Sequence, residues 1–224
     1  MIKRLIKLCL LFIFFVACNK ENELNEVRTK NFGETDYYLV DGKKIAITKM
    51  DGKFYVMFYL AEEDKFKEEL VKAGIKLTRE EEITEFSSYS INLIGSGVKK
   101  FSHYKTGIIE SSYERAKTAL SHTLYWAPYY KINNPQEFNG IKEVGVTNLF
   151  NVKYKSKTSL AQLEELVKKN GVEMIGPDKF LHGWYMLACT NLSKGNALEM
   201  ANLFYESGLF ENTCPDVFNT GKLL

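Results

Sequence analysis

The chain contains one segment twice. Lys67-Glu68-Glu69-Leu70-Val71-Lys72-Ala73-Gly74-Ile75 is echoed by Leu163-Glu164-Glu165-Leu166-Val167-Lys168-Lys169-Asn170-Gly171-Val172, with one residue added before the second glycine. Glu68 and Glu164 lie 96 positions apart, and at the same offset Phe54, Val56 and Phe58 fall on Phe150, Val152 and Tyr154. Each copy reads as a strand, a helix closed by glycine, and another strand. A repeat of this length is a domain duplication rather than a solenoid of short units. Two copies of a small α+β unit, with little else, point to binding rather than chemistry.

The pattern extends to the same order in both copies. Asp41-Gly42 and Asp51-Gly52 each read as a tight hairpin turn between β-rich runs. Lys53–Tyr59 is the first strand of copy one. A helix over 62–73 follows, with Phe66, Leu70, Val71 and Ala73 on its inner side and Gly74 ending it. Ile75–Leu77 starts a strand, and Ser88–Leu93 alternates as a half-buried strand does. Ser111-x-x-Glu114 resembles a capping box before a helix over 112–121, and Leu124–Tyr130 closes the copy. Copy two repeats this with a strand over 149–155 and a helix capped by Ser159 and Gln162, with Leu160, Leu163, Leu166 and Val167 on its apolar face. Strands starting at Val172 and spanning 183–190, a helix after Ser193 that buries Ala197, Met200, Ala201 and Phe204, and a strand over 209–214 complete it. The expected fold is α+β: two tandem ferredoxin-like (βαββαβ) units with an N-terminal β-hairpin extension. The expected units cover 37–130 and 149–217, with a polar linker at 131–148 holding Pro135, Gly140 and Gly145, and a tail at 218–224.

The N-terminus has its own logic. Lys3, Arg4 and Lys7 precede an apolar run from Leu8 to Ala17, too short to span a bilayer and suited to an export signal. Val16-Ala17-Cys18 ends it as a bacterial lipobox does, which makes residues 1–17 a signal peptide and Cys18 the expected lipidation site; an ordinary signal with a chance cysteine is the competing reading. Residues 18–36 then form a polar tether. Lys20-Glu21-Asn22-Glu23 also resembles the acidic export tag of surface-exposed Bacteroidetes lipoproteins, interrupted by Asn22. The expected location is the outer membrane or cell surface of a Gram-negative bacterium, held by lipid alone. Without the three leader cations, 27 of the 30 basic residues remain against 28 acidic ones, so charge gives no case for nucleic acid.

No catalytic or metal-binding pattern emerges. His103, His122 and His182 have no ligand partner at i+3 or i+4, and Gly95-Ser96-Gly97 lacks the frame of a nucleophile elbow. Glu80–Glu82 reads as solvated charge, and no C-x-x-C occurs. No cofactor is expected. Cys189 and Cys214 fall on strands three and four of copy two, which strand one separates in a ferredoxin-like sheet, so two free thiols are expected.

Residues 149–218 resemble the propeptide region of subtilisin-like serine proteases, especially of Bacteroidetes. The resemblance is carried by Asn148–Tyr154, Trp184–Thr190, Ser193–Phe210 and Pro215-Asp216, with Tyr37-Tyr38 and Asp41–Ile45 resembling the start of the same region. It implies a ferredoxin-like domain that docks its sheet on a protease and lays its C-terminal tail in the substrate cleft. The family's catalytic Asp, His and Ser motifs are absent, and Cys214 stands where a Glu commonly precedes the Pro-Asp pair. The expectation is therefore a non-catalytic lipoprotein that binds, inhibits or chaperones a subtilisin-like protease. Trp184 and Met186 on the open sheet face, with Pro215, Asp216, Phe218, Leu223 and Leu224 on the last strand and tail, are the expected partner-binding residues. The rival readings are a surface module that kept only the fold, binding another protein or a ligand, and a truncated protease lacking its catalytic domain.

Overall fold

The computed structural model describes residue 31 and residues 33–40, 42–83, 104–120, 123–178 and 181–218. Cys18, His103, His122, Leu223, Leu224 and the strand expected at 88–93 lie outside the described residues. The strands are β1 (Thr35–Val40), β2 (Lys43–Tyr59), β3 (Lys76–Ile83), β4 (Tyr104–Glu110), β5 (Tyr125–Ile132), β6 (Glu143–Tyr154), β7 (Glu173–Pro177), β8 (Trp184–Ala188) and β9 (Phe210–Phe218). The helices are α1 (Glu63–Lys72), α2 (Tyr113–Ala119), α3 (Leu160–Asn170) and α4 (Ala197–Glu206).

Both halves have the ferredoxin-like order. In the first, β5-β2-β4-β3 places strands 4-1-3-2 side by side, all antiparallel. In the second, β9-β6-β8-β7 repeats it. The halves join in one sheet because β5 pairs with the start of β6 through Tyr129–Gly145, Tyr130–Val144 and Lys131–Glu143. β1 forms a hairpin with β2.

Local chemistry accounts for the helices. Ser159 and Gln162 form a reciprocal capping box at α3, and Gly171 ends that helix with φ 64°. Asn196 and Glu199 form the same device at α4, a cap not recognised from the sequence. The box expected at Ser111 does not form. Ser112 is the N-cap and makes no side-chain cap bond, because the Ser111 hydroxyl is spent on the Ser112 carbonyl.

Several boundaries differ from expectation. Asp51-Gly52 does not reverse the chain: β2 runs through it, since 47–49 and 54–57 both pair with β5 and the intervening residues bulge out. The third strand of the first half is Tyr104–Glu110, a run not read as a strand from the sequence. β5 reaches Ile132 and β6 starts at Glu143, so the irregular connection is shorter than 131–148. Gly145 lies inside β6, where the Tyr129 ring sits over it; a Cβ there would come within 3.0 Å of that ring. Val71 and Leu160, expected on inner faces, are 77 % and 44 % exposed.

Two main cores result. Phe54, Val56, Phe58, Phe66, Leu70, Ile109, Ala116 and Leu120 pack the first half's helices on its sheet. The larger core crosses the halves, from Ile45, Ile47, Tyr55 and Tyr130 to Phe150, Val152, Leu163, Leu187 and Phe204. Leu187 and Cys189 are buried in it and Tyr185 packs on it, so the three share one side of the 184–190 run.

Candidate functional site

The expected partner residues fall on two strands that flank β6. β8 carries Trp184 and Met186; β9 carries Pro215, Asp216 and Phe218. Cross-strand register aligns Trp184 with Lys153 and Asn212, and Met186 with Asn151 and Cys214. The alternate residues Phe150 and Val152 belong to the core that includes α3 and α4, so these two rows lie on the opposite face.

That face is not an open apolar strip. Met186 is 7 % exposed and Ala188 is fully buried, both packed with Leu149 and Ile175 in a small satellite core. Trp184 alone of the three keeps half-buried surface. Beside it, the exposed Lys153–Glu211 ion pair spans 3.0 Å. The accessible part of the face is thus the half-buried Trp184, in register with Lys153 and Asn212 and beside the Lys153–Glu211 pair.

β9 is tied into the fold to its end. Pro215 is buried. Phe218 is half-buried, its ring centroid 5.5 Å from that of Tyr55. The Asp216 carboxylate accepts a 2.9 Å hydrogen bond from the Thr147 hydroxyl and another from the Val217 N–H. Loss of water around it raises its pKa above the usual aspartate value, while those two donors pull the other way.

The sequence reading missed the clasp around this strand. β1 approaches β9 without forming a ladder with it. The Tyr38 hydroxyl donates to the Pro215 carbonyl at 3.0 Å and lies 3.7 Å from Cys214 Sγ. Burial pushes the Tyr38 phenol pKa well up, with Cys214 and Asp216 adding to the shift. From α4, Asn202 donates to Asp36 and to the Tyr37 carbonyl, and the Tyr37 hydroxyl donates to Glu206. The only signal for this in the sequence is the paired tyrosine just before the first hairpin; nothing local says what it reaches.

The start of α4 is seated on the first half. Tyr125 accepts from the Ala197 N–H at 3.2 Å, and Asn196 donates to the Tyr130 hydroxyl at 2.9 Å. Burial raises both tyrosine pKa values strongly. Lys49 reaches Glu199 at 3.3 Å, with both side chains about nine-tenths buried.

Cys189 and Cys214 form no disulfide, and β6 lies between their strands. Burial raises the Cys189 thiol pKa strongly, whereas Cys214 keeps some exposed surface. Alkylation of the native protein followed by peptide mapping is therefore expected to label Cys214 first and Cys189 only on unfolding. Equal labelling rates would contradict this.

No family model matches the chain, and no curated protein matches it. Among solved structures, the acetolactate synthase small subunit from Thermotoga maritima overlaps 77 % of this chain and 98 % of its own, at 9 % identity and TM-score 0.24. A protein of unknown function from Galdieria sulphuraria overlaps 76 % and 99 %, at 8 % identity and TM-score 0.24. A putative glycine cleavage system transcriptional repressor overlaps 75 % and 96 %, at 11 % identity and TM-score 0.22. Likenesses this distant carry no argument about function. Among the described residues no helix is long and apolar enough to cross a membrane, and no three His, Cys, Asp or Glu side chains cluster as a metal site would need.

Proposed function

We propose that this chain is a lipid-anchored, non-catalytic binding protein that docks on a subtilisin-like serine protease through its second half. The observation that supports this most directly is the placement of Trp184, Lys153 and Asn212 in one row across β8, β6 and β9, on the sheet face away from the core holding α3 and α4. A half-buried tryptophan rimmed by polar groups is the anchor that a protein interface uses. Met186 drops out as a contact residue because it is buried, and Pro215, Asp216 and Phe218 serve to hold β9 rather than to touch the partner. Residues 219–224 follow β9 directly and form the segment offered to a substrate cleft. Cys18 supplies the anchor.

Titration of the mature chain into subtilisin-like proteases from the same cell tests this. Binding or inhibition is expected, weakened roughly 10- to 100-fold by Trp184→Ala. Deleting 219–224 should reduce inhibition far more than it lowers Tm. If the intact chain neither binds nor slows any such protease, the reading fails. Separately, Cys18→Ala should release the protein from the membrane fraction or leave it unprocessed; unchanged processing and fractionation would refute lipidation.

A further inference from the structure

The loop from Thr190 to Lys194 joins β8 to α4 and folds over the end of α3. It is firmly tied. The Thr190 N–H donates to the Ser193 hydroxyl at 2.9 Å, and the Leu192 N–H to the Thr190 hydroxyl at 3.1 Å. The Ser193 hydroxyl donates to the Gly171 carbonyl at 2.7 Å, and the Lys194 N–H to that of Asn170 at 3.1 Å. On this turn Leu192 is 81 % exposed, more than any other large apolar side chain among the described residues. One exposed leucine carries little meaning by itself. Its setting adds to it. Lys168 and Lys169 occupy the last turn of α3, Lys194 follows in the loop, and all three are exposed. The ion pairs found among the described residues engage other cations. The carboxylates of α3, Glu164 and Glu165, stand about one turn, roughly 5 Å, nearer its start, and Glu173 of β7 is half-buried.

We propose that this corner is a membrane contact: Leu192 enters the interface of an anionic lipid bilayer while Lys168, Lys169 and Lys194 meet its headgroup phosphates. An apolar side chain rimmed by cations matches a surface that is negative outside and hydrocarbon within. Each lysine brought to such a surface raises binding about fivefold, so three multiply it roughly 100-fold. That is weak for a free protein and ample for one already tethered at the surface, where the contact forms within one assembly. The proposal rests on the reading of Cys18 only for that tether. The chain's layout permits both contacts. Asp36 and Tyr37 of β1 are held by Asn202 and Glu206 of α4, so the tether enters about one helix length, roughly 15 Å, from the loop. Residues 19–34 can reach up to roughly 55 Å. Trp184 opens β8 and the loop follows the other end of that strand, so lipid contact and the Trp184 row use different parts of the second half.

Vesicle co-sedimentation of the mature chain without acyl groups reads this contact apart from lipidation, because no anchor takes part. Vesicles of one part phosphatidylglycerol to two parts phosphatidylcholine should bind the chain, pure phosphatidylcholine vesicles far less, and added salt should weaken the binding. Lys168→Gln, Lys169→Gln and Lys194→Gln together should lower it roughly 100-fold. Leu192→Ser should lower it roughly 10-fold, by a ratio that salt leaves unchanged. Lys65→Gln, Lys76→Gln and Lys117→Gln together remove the same charge from exposed positions of the first half and should stay within about twofold of wild type. Equal losses in the two triple variants overturn the proposal, since diffuse charge would then suffice. Failure of the intact chain to bind the anionic vesicles overturns it, as does a Leu192→Ser protein that binds like wild type. None of these results bears on the fractionation of Cys18→Ala, which tests the anchor by itself.

Discussion

Gly171→Ala is expected to cost more stability than any other single methyl added to this chain at a described glycine. Gly171 ends α3 at φ 64°, a conformation that costs a residue with a Cβ about 1 to 2 kcal/mol. The greater cost is steric. The loop before α4 folds back over the helix end, with the Ser193 hydroxyl donating to the Gly171 carbonyl and the Lys194 N–H to that of Asn170. A Cβ on Gly171 would lie 2.4 Å from the Leu192 carbonyl oxygen, which is backbone and cannot rotate away. Either the loop lifts or the helix end unwinds, and both disturb the capping box that starts α4. Gly208 provides the control: its φ is 75°, and a Cβ there would meet nothing within 4 Å. Gly208→Ala should lower Tm by roughly 2 to 8 °C, the left-handed cost alone, and Gly171→Ala by clearly more. Equal losses would mean that the loop yields freely.

Gly171 also shows how far the sequence can be read. A glycine after an amphipathic run announces a helix end, and the same logic located Gly74. On β6, Phe150 and Val152 share one face and one core with the helices, as a period of two requires without knowledge of the neighbours. What failed depended on neighbours. Asp51-Gly52 has the composition of a hairpin turn, but β5 pairs with both its flanks and the turn becomes a bulge. Gly145 looks like a breaker until the Tyr129 ring is placed on it. Trp184 and Met186 were visible as an apolar pair on one face, but the burial of Met186 and Ala188 against Leu149 and Ile175 was not. The clasp of Tyr38 on Pro215 joins residues 177 positions apart, and no local pattern encodes it.

Such long-range ties set the second large effect: neither half should fold alone. A piece covering 143–218 keeps a complete βαββαβ order, so its pattern alone would suggest an autonomous unit. Its core says otherwise. Ile45, Ile47, Tyr55, Met57, Tyr125, Tyr129, Tyr130 and Ile132 of the first half are buried in the same cluster as Val144, Val146, Ala197 and Leu198. Each large side chain among them is worth about 1.5 to 3 kcal/mol when fully buried, and a domain's whole stability is only about 5 to 15 kcal/mol. The severed half would also lose the tyrosine partners at the start of α4 and leave Glu199 without Lys49. Losing one member of a buried ion pair commonly costs about 3 to 5 kcal/mol by itself. Below about 80 residues a domain has little stability in reserve. The isolated piece is therefore expected to show no cooperative thermal transition, while the intact chain unfolds in one step seen alike by tryptophan fluorescence and circular dichroism. A sharp transition in the 143–218 piece would show that the shared core is dispensable and that the duplication still behaves as two domains.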